Sequence, residues 1–516
     1  MSSNSHSNTL ISGQNLVVTG GRFELNVNPH CHLNNPEPGA RSSIPMASYP
    51  LRDFIGLEIL HRNASLSAAH DASARDPPPR CAPGTREMVI ADIMRWITDS
   101  SSTTSILWLN GPFGNGKSAI MQTIADRLHG SNSQLHHHLA GSFFFGRGKP
   151  GRDKATYLVP TIAYQVAINI PSMRKPIDMA VIQDPTIFSK TIGVQLRHLI
   201  TNPFHQVTCG ATTPFDWPTV IIDGLDECDG HDSQRCILDA ISTAVFKDHI
   251  PLRFLIASRP ERQISQTFYS QPLDHHHYPM TLTDDYHTRK ELEQFLRSGF
   301  DKIHEQQCDV MATVERPWPS KQDLEDLVYR ASGQFLYAST VLKFVDSDMA
   351  NPVHQLNLIL RRQGCMAAFS TMDELYTQIL ELCLDQGNLP SFLRSVFTLN
   401  ESGSMSDSRY YARPTLANHA FISGLQPDDI SFILRWLPAV IEVKLPRQQD
   451  LPDGYPLQEF MRYYSPDLSV HHKSFIEFLA DKNRSGKFYI DPDIAYQEMM
   501  TRLDVLISTC LSAWYD

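Results

Sequence analysis

The stretch Gly111-Pro-Phe-Gly-Asn-Gly-Lys-Ser118 matches the pattern GxxxxGK(S/T) and decides the fold of this chain. Before it, the apolar run from Ser105 to Leu109 predicts a buried strand, and after it apolar residues at helical spacing predict a helix. Backbone N–H groups at such a helix start point toward an anion, and Gly114 and Gly116 let the backbone approach that anion closely. The sequence therefore predicts a loop that binds the phosphates of a nucleoside triphosphate.

The side chains of this loop complete the predicted site. We expect the Lys117 ammonium to reach the β- and γ-phosphates and the Ser118 hydroxyl to ligate Mg²⁺. The loop residues predicted to bind the nucleotide are Gly111, Gly114, Asn115, Gly116, Lys117 and Ser118. The choice between ATP and GTP stays open, because the loop reads phosphates and not the base.

A second motif, Thr219-Val-Ile-Ile-Asp-Gly-Leu-Asp-Glu227, is an apolar strand that ends in acids. Such a strand places a carboxylate beside the magnesium at the carboxyl edge of a sheet. We predict that Asp223 lies on the metal side. Asp226 or Glu227 is then the candidate general base that polarises the attacking water.

Strand and helix patterns alternate through this part of the chain, which predicts a parallel sheet covered by helices on both faces. From about Tyr286 helical patterns follow one another, and after a Ser-rich break at 401–409 the pattern is mixed α/β. The predicted divisions are a disordered N-terminal segment with a short β-prone island (1–60), a linker and entry helix (61–104), a P-loop NTPase domain (105–284), a helical subdomain (285–400) and a mixed module (401–516). The island, 15–28, is either a hairpin, a self-pairing strand or an unstructured tail.

Composition narrows the protein class. The 516 residues carry 45 basic and 56 acidic side chains, a formal net charge of -11, so we expect no nucleic-acid partner. The nine cysteines have no metal-ligand spacing, and the triplets at 136–138 and 275–277 are interpreted as solvated histidines. We find no secretory signal and no apolar stretch long enough to span a bilayer, which predicts a cytoplasmic protein.

With both motifs in place, the chain resembles the NACHT family of signalling NTPases, within the STAND class that includes innate-immune receptors. The segments 77–87, 141–147 and 160–165 are similar to fungal NLR-like proteins with a nephrocystin-3-like N-terminal region. The resemblance implies that Arg259, after the next core strand, senses the γ-phosphate. It also implies that Thr85 and Arg86 lie near the adenine or the ribose.

Two further segments match the STAND pattern with a substitution in each. Ser332-Gly-Gln-Phe-Leu-Tyr-Ala338 stands where these proteins often carry Gly-x-Pro, and Phe335 replaces the proline. Val470-His-His-Lys-Ser-Phe-Ile-Glu-Phe-Leu479 resembles the winged-helix segment whose histidine holds the β-phosphate of a diphosphate, which implies that role for His472 and a winged-helix-like last module. Lys473 occupies the position of the family's aspartate.

The resemblance implies a slowly hydrolysing NTP switch that opens and oligomerises with itself when triphosphate replaces diphosphate, and then engages a downstream protein that the sequence does not identify. The family usually carries a C-terminal repeat array as a sensor, and this chain shows no repeat. Two alternatives remain open at this point. One is a general P-loop NTPase, such as a small-molecule kinase or an AAA-like remodelling machine. The other is a degenerate scaffold that does not hydrolyse nucleotide.

Overall fold

The computed structural model describes residues 12–13, 16–19, 22–25, 54–99, 102, 104–130, 138–208, 217–282, 286–347, 350–361, 371–401, 414–444 and 465–515. The predicted Ser-rich break, from residue 402, and His136 and His137 of the first triplet lie outside the described residues. The chain forms two compact units, residues 1–50 with 496–516 and residues 51–495, and each is described by itself.

The N-terminal unit contains a small antiparallel sheet. Strands β1 (Ser12–Gly13), β2 (Leu16–Thr19) and β3 (Arg22–Leu25) pair in sequence order. Val17 is opposite Glu24 and Thr19 is opposite Arg22. The β-prone island is thus a hairpin with one added short strand.

The larger unit is built on a five-stranded parallel sheet. Its strands are β4 (Ile106–Asn110), β5 (Leu139–Phe144), β6 (Thr219–Asp223), β7 (Arg253–Ser258) and β8 (Tyr278–Thr281), in the order β5-β6-β7-β4-β8. Because β7 lies between β4 and β6, the residue that follows β7 falls between the phosphate loop and the acids. This order confirms the predicted α/β fold class and sets the geometry of the site.

Helices cover both faces of the sheet, as predicted. Leu107 and Leu109 belong to one buried cluster and Ile106 and Trp108 to the other, because successive strand residues face opposite sides. The helices of this domain are Glu87–Thr98, Lys117–His129, Leu158–Asn169, Arg174–Gln183, Ile192–Leu196, Asn202–Thr208, His231–Phe246 and Arg262–Phe268.

Three parts of this unit differ from the sequence-based expectation. A helix at Ile55–Asn63 begins inside the segment predicted to be disordered and ends in the predicted linker, and its Leu57 and Leu60 are fully buried in the core. The polar composition of residues 1–60, taken as an average, concealed this short amphipathic helix. Helices between 174 and 208 were not predicted, and neither was β8, a sheet-edge strand whose residues are mostly exposed.

The helical subdomain is confirmed. Its helices are Tyr286–Gln306, Cys308–Met311, Lys321–Ala331, Phe335–Val345, Pro352–Arg361, Thr371–Leu382 and Leu389–Glu401. Helices Lys321–Ala331 and Phe335–Val345 are separated by a short break. The helical conformation is interrupted at Ser332 and Gly333, whose φ angles are positive, 45° and 79°.

The last module combines helices with a two-stranded antiparallel ladder, β9 (Ile441–Lys444) and β10 (Asp467–Val470). Its helices are Leu416–Ser423, Pro427–Leu434, Lys473–Ala480, Lys482–Ser485 and Pro492–Tyr515. Helix Lys473–Ala480 starts three residues after β10, and this places its first turn over the carboxyl edge of the parallel sheet. Among the described residues, no helix has the length and apolar character needed to cross a bilayer.

Candidate functional site

The phosphate loop connects β4 to helix Lys117–His129, and its shape depends on two glycines. Gly114 and Gly116 have φ angles of +78° and +82°, a region that other residues adopt only at a cost. A Cβ atom on Gly114 would lie 3.3 Å from the Cβ atoms of both Gln334 and Leu336. The Leu336 N–H also donates to the Gly114 carbonyl at 3.2 Å. The loop is therefore packed directly against the helical subdomain.

Lys117 folds back over its own loop. Its ammonium donates to the carbonyls of Gly111 at 2.8 Å and Pro112 at 2.9 Å. Burial lowers the pKa of Lys117 to about 8, against the opposing effect of Asp226 and Asp223. A phosphate anion would replace neutral carbonyls with a full charge and favour the ammonium form.

Ser118 and Asp223 lie together at the ends of the loop and of β6. Burial raises the pKa of the Asp223 carboxyl to about 6, against the opposing effect of the nearby Ser118 hydroxyl. The Asp223 Oδ1 atom is buried and has no hydrogen-bond partner among the residues that the structure describes. A buried acceptor beside a hydroxyl suits Mg²⁺, which prefers oxygen ligands and uses one or two protein groups together with phosphates.

Asp226 is held by two cations. Its Oδ1 accepts the Arg259 backbone N–H at 3.0 Å, and its Oδ2 lies 3.3 Å from Arg259 Nε and 3.2 Å from Lys473 Nζ. Burial opposes ionisation, but Lys473 and Arg259 outweigh it and the pKa of Asp226 is lowered. In this conformation Asp226 is an ionised anchor.

Glu227 shares the same lysine. The Lys473 ammonium lies 3.1 Å from Glu227 Oε1, while Glu227 Oε2 accepts the Arg147 backbone N–H at 3.3 Å. Both candidate bases are therefore bridged by one cation from the last module. Sequence reasoning did not assign a role to Lys473. The only signal was a reversed charge at the position of the family's aspartate.

Arg259 follows β7 and reaches the last module as well. Its guanidinium lies 3.3 Å from Glu477 Oε1 and stacks 4.9 Å from the ring centre of Phe113, the third residue of the phosphate loop. Glu477 is one turn after Lys473 on helix Lys473–Ala480, so the two side chains share a helix face. Ion pairs of Arg259 and Lys473 with carboxylates thus connect the end of the sheet to this helix.

His472 caps that helix beside the phosphate loop. Its Nδ1 accepts the Ser474 N–H at 3.1 Å, so in the neutral ring Nε2 carries the proton and is a donor. Burial lowers the pKa of His472 to about 3, and Lys473 and Arg259 lower it further. The His472 ring contacts the Phe113 ring edge-on, with 4.6 Å between the two ring centres.

Arg86 lies on the opposite side of the loop. It donates to the carbonyl of Asn115 at 3.1 Å and to Thr288 Oγ1 at 3.0 Å, and lies 4.9 Å from the ring centre of Phe335. The neighbouring Thr85 hydroxyl donates to the Ala82 carbonyl at 2.7 Å. Phe335, which replaces the family's proline, thus packs its ring against the Arg86 guanidinium.

One cavity of about 810 Å³ joins these groups. The predicted residues that line it are Thr85, Arg86, Gly114, Gly116, Lys117, Ser118, Asp223, Asp226, Glu227, Arg259 and His472. Gly111 and Asn115 are not among the lining residues. Asn115 is 3% exposed and its side-chain amide points to the Leu282 carbonyl at 3.5 Å, so Asn115 shapes the loop from behind.

Comparison with known proteins matches residues 84–259 to the N-terminal family of nephrocystin 3. The matched range runs from the entry turn through the loop and the acids to Arg259, and leaves the His472 segment outside. No curated protein matches the chain. The coarser identification as a P-loop NTPase fold stands on the loop, the strand order and this match.

The solved structures that are similar to the chain include two complexes with DNA. One is the ORC1 protein of Aeropyrum pernix in complex with DNA, with 12% identity over 81% of this chain and 95% of that chain and a TM-score of 0.33. The other is Drosophila ORC bound to DNA, with 13% identity over 81% and 98% and a TM-score of 0.28. Both contain DNA, which contradicts our expectation that nucleic acid is excluded as a partner. That exclusion rested on net charge, a sum over the whole chain that does not describe any local surface.

Proposed function

We propose that this protein is a nucleotide-operated signalling switch of the STAND type, which binds ATP or GTP with Mg²⁺ and hydrolyses it slowly. The observation that carries the proposal is the position of Lys473, which pairs with both candidate bases from a module far away in sequence. Exchange of diphosphate for triphosphate at the phosphate loop would change the negative charge near Lys473. Nucleotide state and module position are thereby coupled.

The residues fit a magnesium nucleotide. Ser118 and Asp223 would hold the metal, which supplies neutralising charge on the transferred phosphoryl group when bound. Lys117 and Arg259 would bind the γ-phosphate, and the His472 Nε2–H would donate to a β-phosphate oxygen. Thr85 and Arg86 would lie on the side of the sugar and the base.

Slow hydrolysis follows from the same contacts. Asp226 and Glu227 are occupied by Arg259 and Lys473 here, and a carboxylate held in an ion pair is a weak base toward water. Withdrawal of Lys473 would release Glu227 and would leave Asp226 paired with Arg259 alone. The open form would then expose the surfaces that pair with further copies of the chain, and an oligomer would engage a downstream protein.

Such a switch requires that triphosphate and diphosphate differ in affinity for the two conformers. A ligand that binds both conformers equally shifts nothing. Arg259 meets this requirement because it contacts the last module through Glu477 and would contact a γ-phosphate in its place. A triphosphate would therefore compete with the module for Arg259.

The decisive experiment identifies the nucleotide carried by the purified protein and measures the thermal stability gained with ATP or GTP and Mg²⁺. We expect bound diphosphate, and a stability gain that grows with the logarithm of ligand concentration over its Kd. Lys117→Ala should remove both, whereas Lys482→Ala, on an exposed turn of the last module, should change neither. A wild-type protein without nucleotide and without a stability gain would rule out the proposal.

A further inference from the structure

Four cations line the wall of the cavity beyond the phosphate loop, and the proposed switch uses none of them. Lys149 and Arg152 lie on the loop that follows β5, Lys343 on the helix Phe335–Val345, and Lys444 at the end of β9. We call these four side chains the cation cluster. They come from three regions of the chain: the sheet domain, the helical subdomain and the last module.

Lys149 lies within electrostatic reach of two other members of the cluster, Arg152 and Lys444. Among the residues that the structure describes, its ammonium has neither a hydrogen-bond partner nor an ion-pair partner. Burial lowers the pKa of Lys149 to about 8, and the nearby Arg152 and Lys444 lower it further. Burial likewise lowers the pKa of Lys343, and this lysine also has no ion pair within the described chain. Lys149 is half-buried and Lys343 is exposed, so water screens these like charges only in part, and their repulsion favours a bound anion.

The carboxylates nearby are already engaged. Glu442 lies 3.5 Å from Lys444 and accepts the Ser469 hydroxyl at 3.4 Å. Glu227 is paired with Lys473. Neither carboxylate pairs with Lys149 or Arg152 in the described residues. The wall therefore retains an excess of positive charge.

The loop that carries Lys149 and Arg152 has a defined shape. Arg152 Nε donates to the Phe144 carbonyl at 3.0 Å, so its guanidinium is fixed against the end of β5. A Cβ on Gly146 would lie 3.2 Å from Arg152 Nη2, and a Cβ on Gly148 would lie 2.0 Å from the Asn400 carbonyl oxygen. These glycines let the loop pack under its own cations and against the helical subdomain, so the two charges are positioned in advance.

We propose that the cation cluster is a second anion site, separate from the phosphate loop, which binds a small polyphosphate. A compound with several phosphate charges matches several lysines that act as point charges, whereas a single carboxylate would satisfy only one of them. The bound anion joins the three regions and stabilises their present arrangement. The cation cluster supplies neither the phosphate-loop contacts nor the candidate bases, but it adjoins them, because Arg152 lies near Asp223 and Glu227 in the same cavity.

The test uses the full chain carrying Lys117→Ala, in magnesium-free buffer, titrated with inorganic pyrophosphate in a calorimeter. Lys117→Ala removes the phosphate-loop lysine, so failure of the proposed switch and failure of this site are separate results. We expect one pyrophosphate per chain and at least tenfold weaker binding after Lys149→Met. Lys149→Arg should keep the affinity, and the matched control Lys482→Met should not change it. A parallel titration with inositol hexakisphosphate distinguishes an organic from an inorganic source of the phosphates by which probe binds more tightly.

A melting measurement keeps the proposal testable if the titration heats are small. Without an anion, Lys149→Met should raise the melting temperature, because it removes a charge that its neighbours repel. Pyrophosphate should raise the melting temperature of the Lys117→Ala protein and leave that of the Lys149→Met variant unchanged. No binding at millimolar pyrophosphate, or equal binding with and without Lys149, overturns the proposal.

Discussion

Lys473→Met tests the link between the last module and the candidate bases. The substitution keeps the length of the side chain and removes the charge that lies 3.2 Å from Asp226 and 3.1 Å from Glu227. The side chains of Lys473, Asp226 and Glu227 are 13%, 4% and 24% exposed, so the contact is largely screened from water. Charge removal therefore leaves two carboxylates close together at the edge of the sheet.

The size of the effect follows from the partners that remain. Breaking a buried ion pair costs about 3–5 kcal/mol, whereas an exposed pair contributes about 0–1 kcal/mol. Asp226 keeps Arg259 at 3.3 Å, and Glu227 is partly exposed, so the loss falls between these limits. We expect about 2 kcal/mol, which shifts the equilibrium between closed and open forms about 30-fold toward the open form.

The assay is the release of a fluorescent diphosphate nucleotide by stopped flow, combined with light scattering after size exclusion. Lys473→Met should release nucleotide up to about 30-fold faster and raise the oligomeric fraction. Lys473→Arg keeps a cation and should resemble the wild type, as should Lys482→Met. If release and oligomerisation are unchanged while the melting temperature falls, Lys473 stabilises the fold and does not gate the nucleotide.

Three further predictions follow from the site. The pKa of Asp223 is raised to about 6, so its proton favours the folded state at low pH and this contribution is lost as the pH rises through that value. Asp223→Asn should therefore stabilise the magnesium-free protein at pH 8 by up to about 3 kcal/mol and have no effect near pH 4, as thermal melts across pH would show. Asp223→Asn should also abolish the stability gained from Mg²⁺ with triphosphate. His472→Ala should raise the oligomeric fraction by removing a donor to the diphosphate, and an unchanged elution profile would contradict that role. Gly114→Ala should destabilise the loop by about 1–2 kcal/mol because its φ is +78°, whereas Gly130→Ala, at a negative φ, should be tolerated when both are compared by urea unfolding.

The sequence determined the parts of the protein that depend on neighbouring residues. The strand, the glycine turn and the helix around Gly111–Ser118 need only local geometry, and so do the apolar strand and acids of Thr219–Glu227. Because the carboxyl ends of parallel strands meet at one edge, the meeting of Lys117, Ser118 and Asp223 also followed from the pattern. Local rules failed at Ile55–Asn63, where one buried face outweighs a polar composition.

Only the tertiary structure decided how the distant regions meet. Lys473 and Asp226 are 247 residues apart, and a lysine in a sequence carries no mark of the carboxylate that it will face. The cation cluster is another case, because Lys149, Lys343 and Lys444 are unremarkable until packing places them along one cavity wall. Charge interactions depend on distance and on burial, and both are fixed by the packing of whole modules. The phosphate loop was therefore readable in the chain, whereas the contacts proposed to control it exist only in the folded molecule.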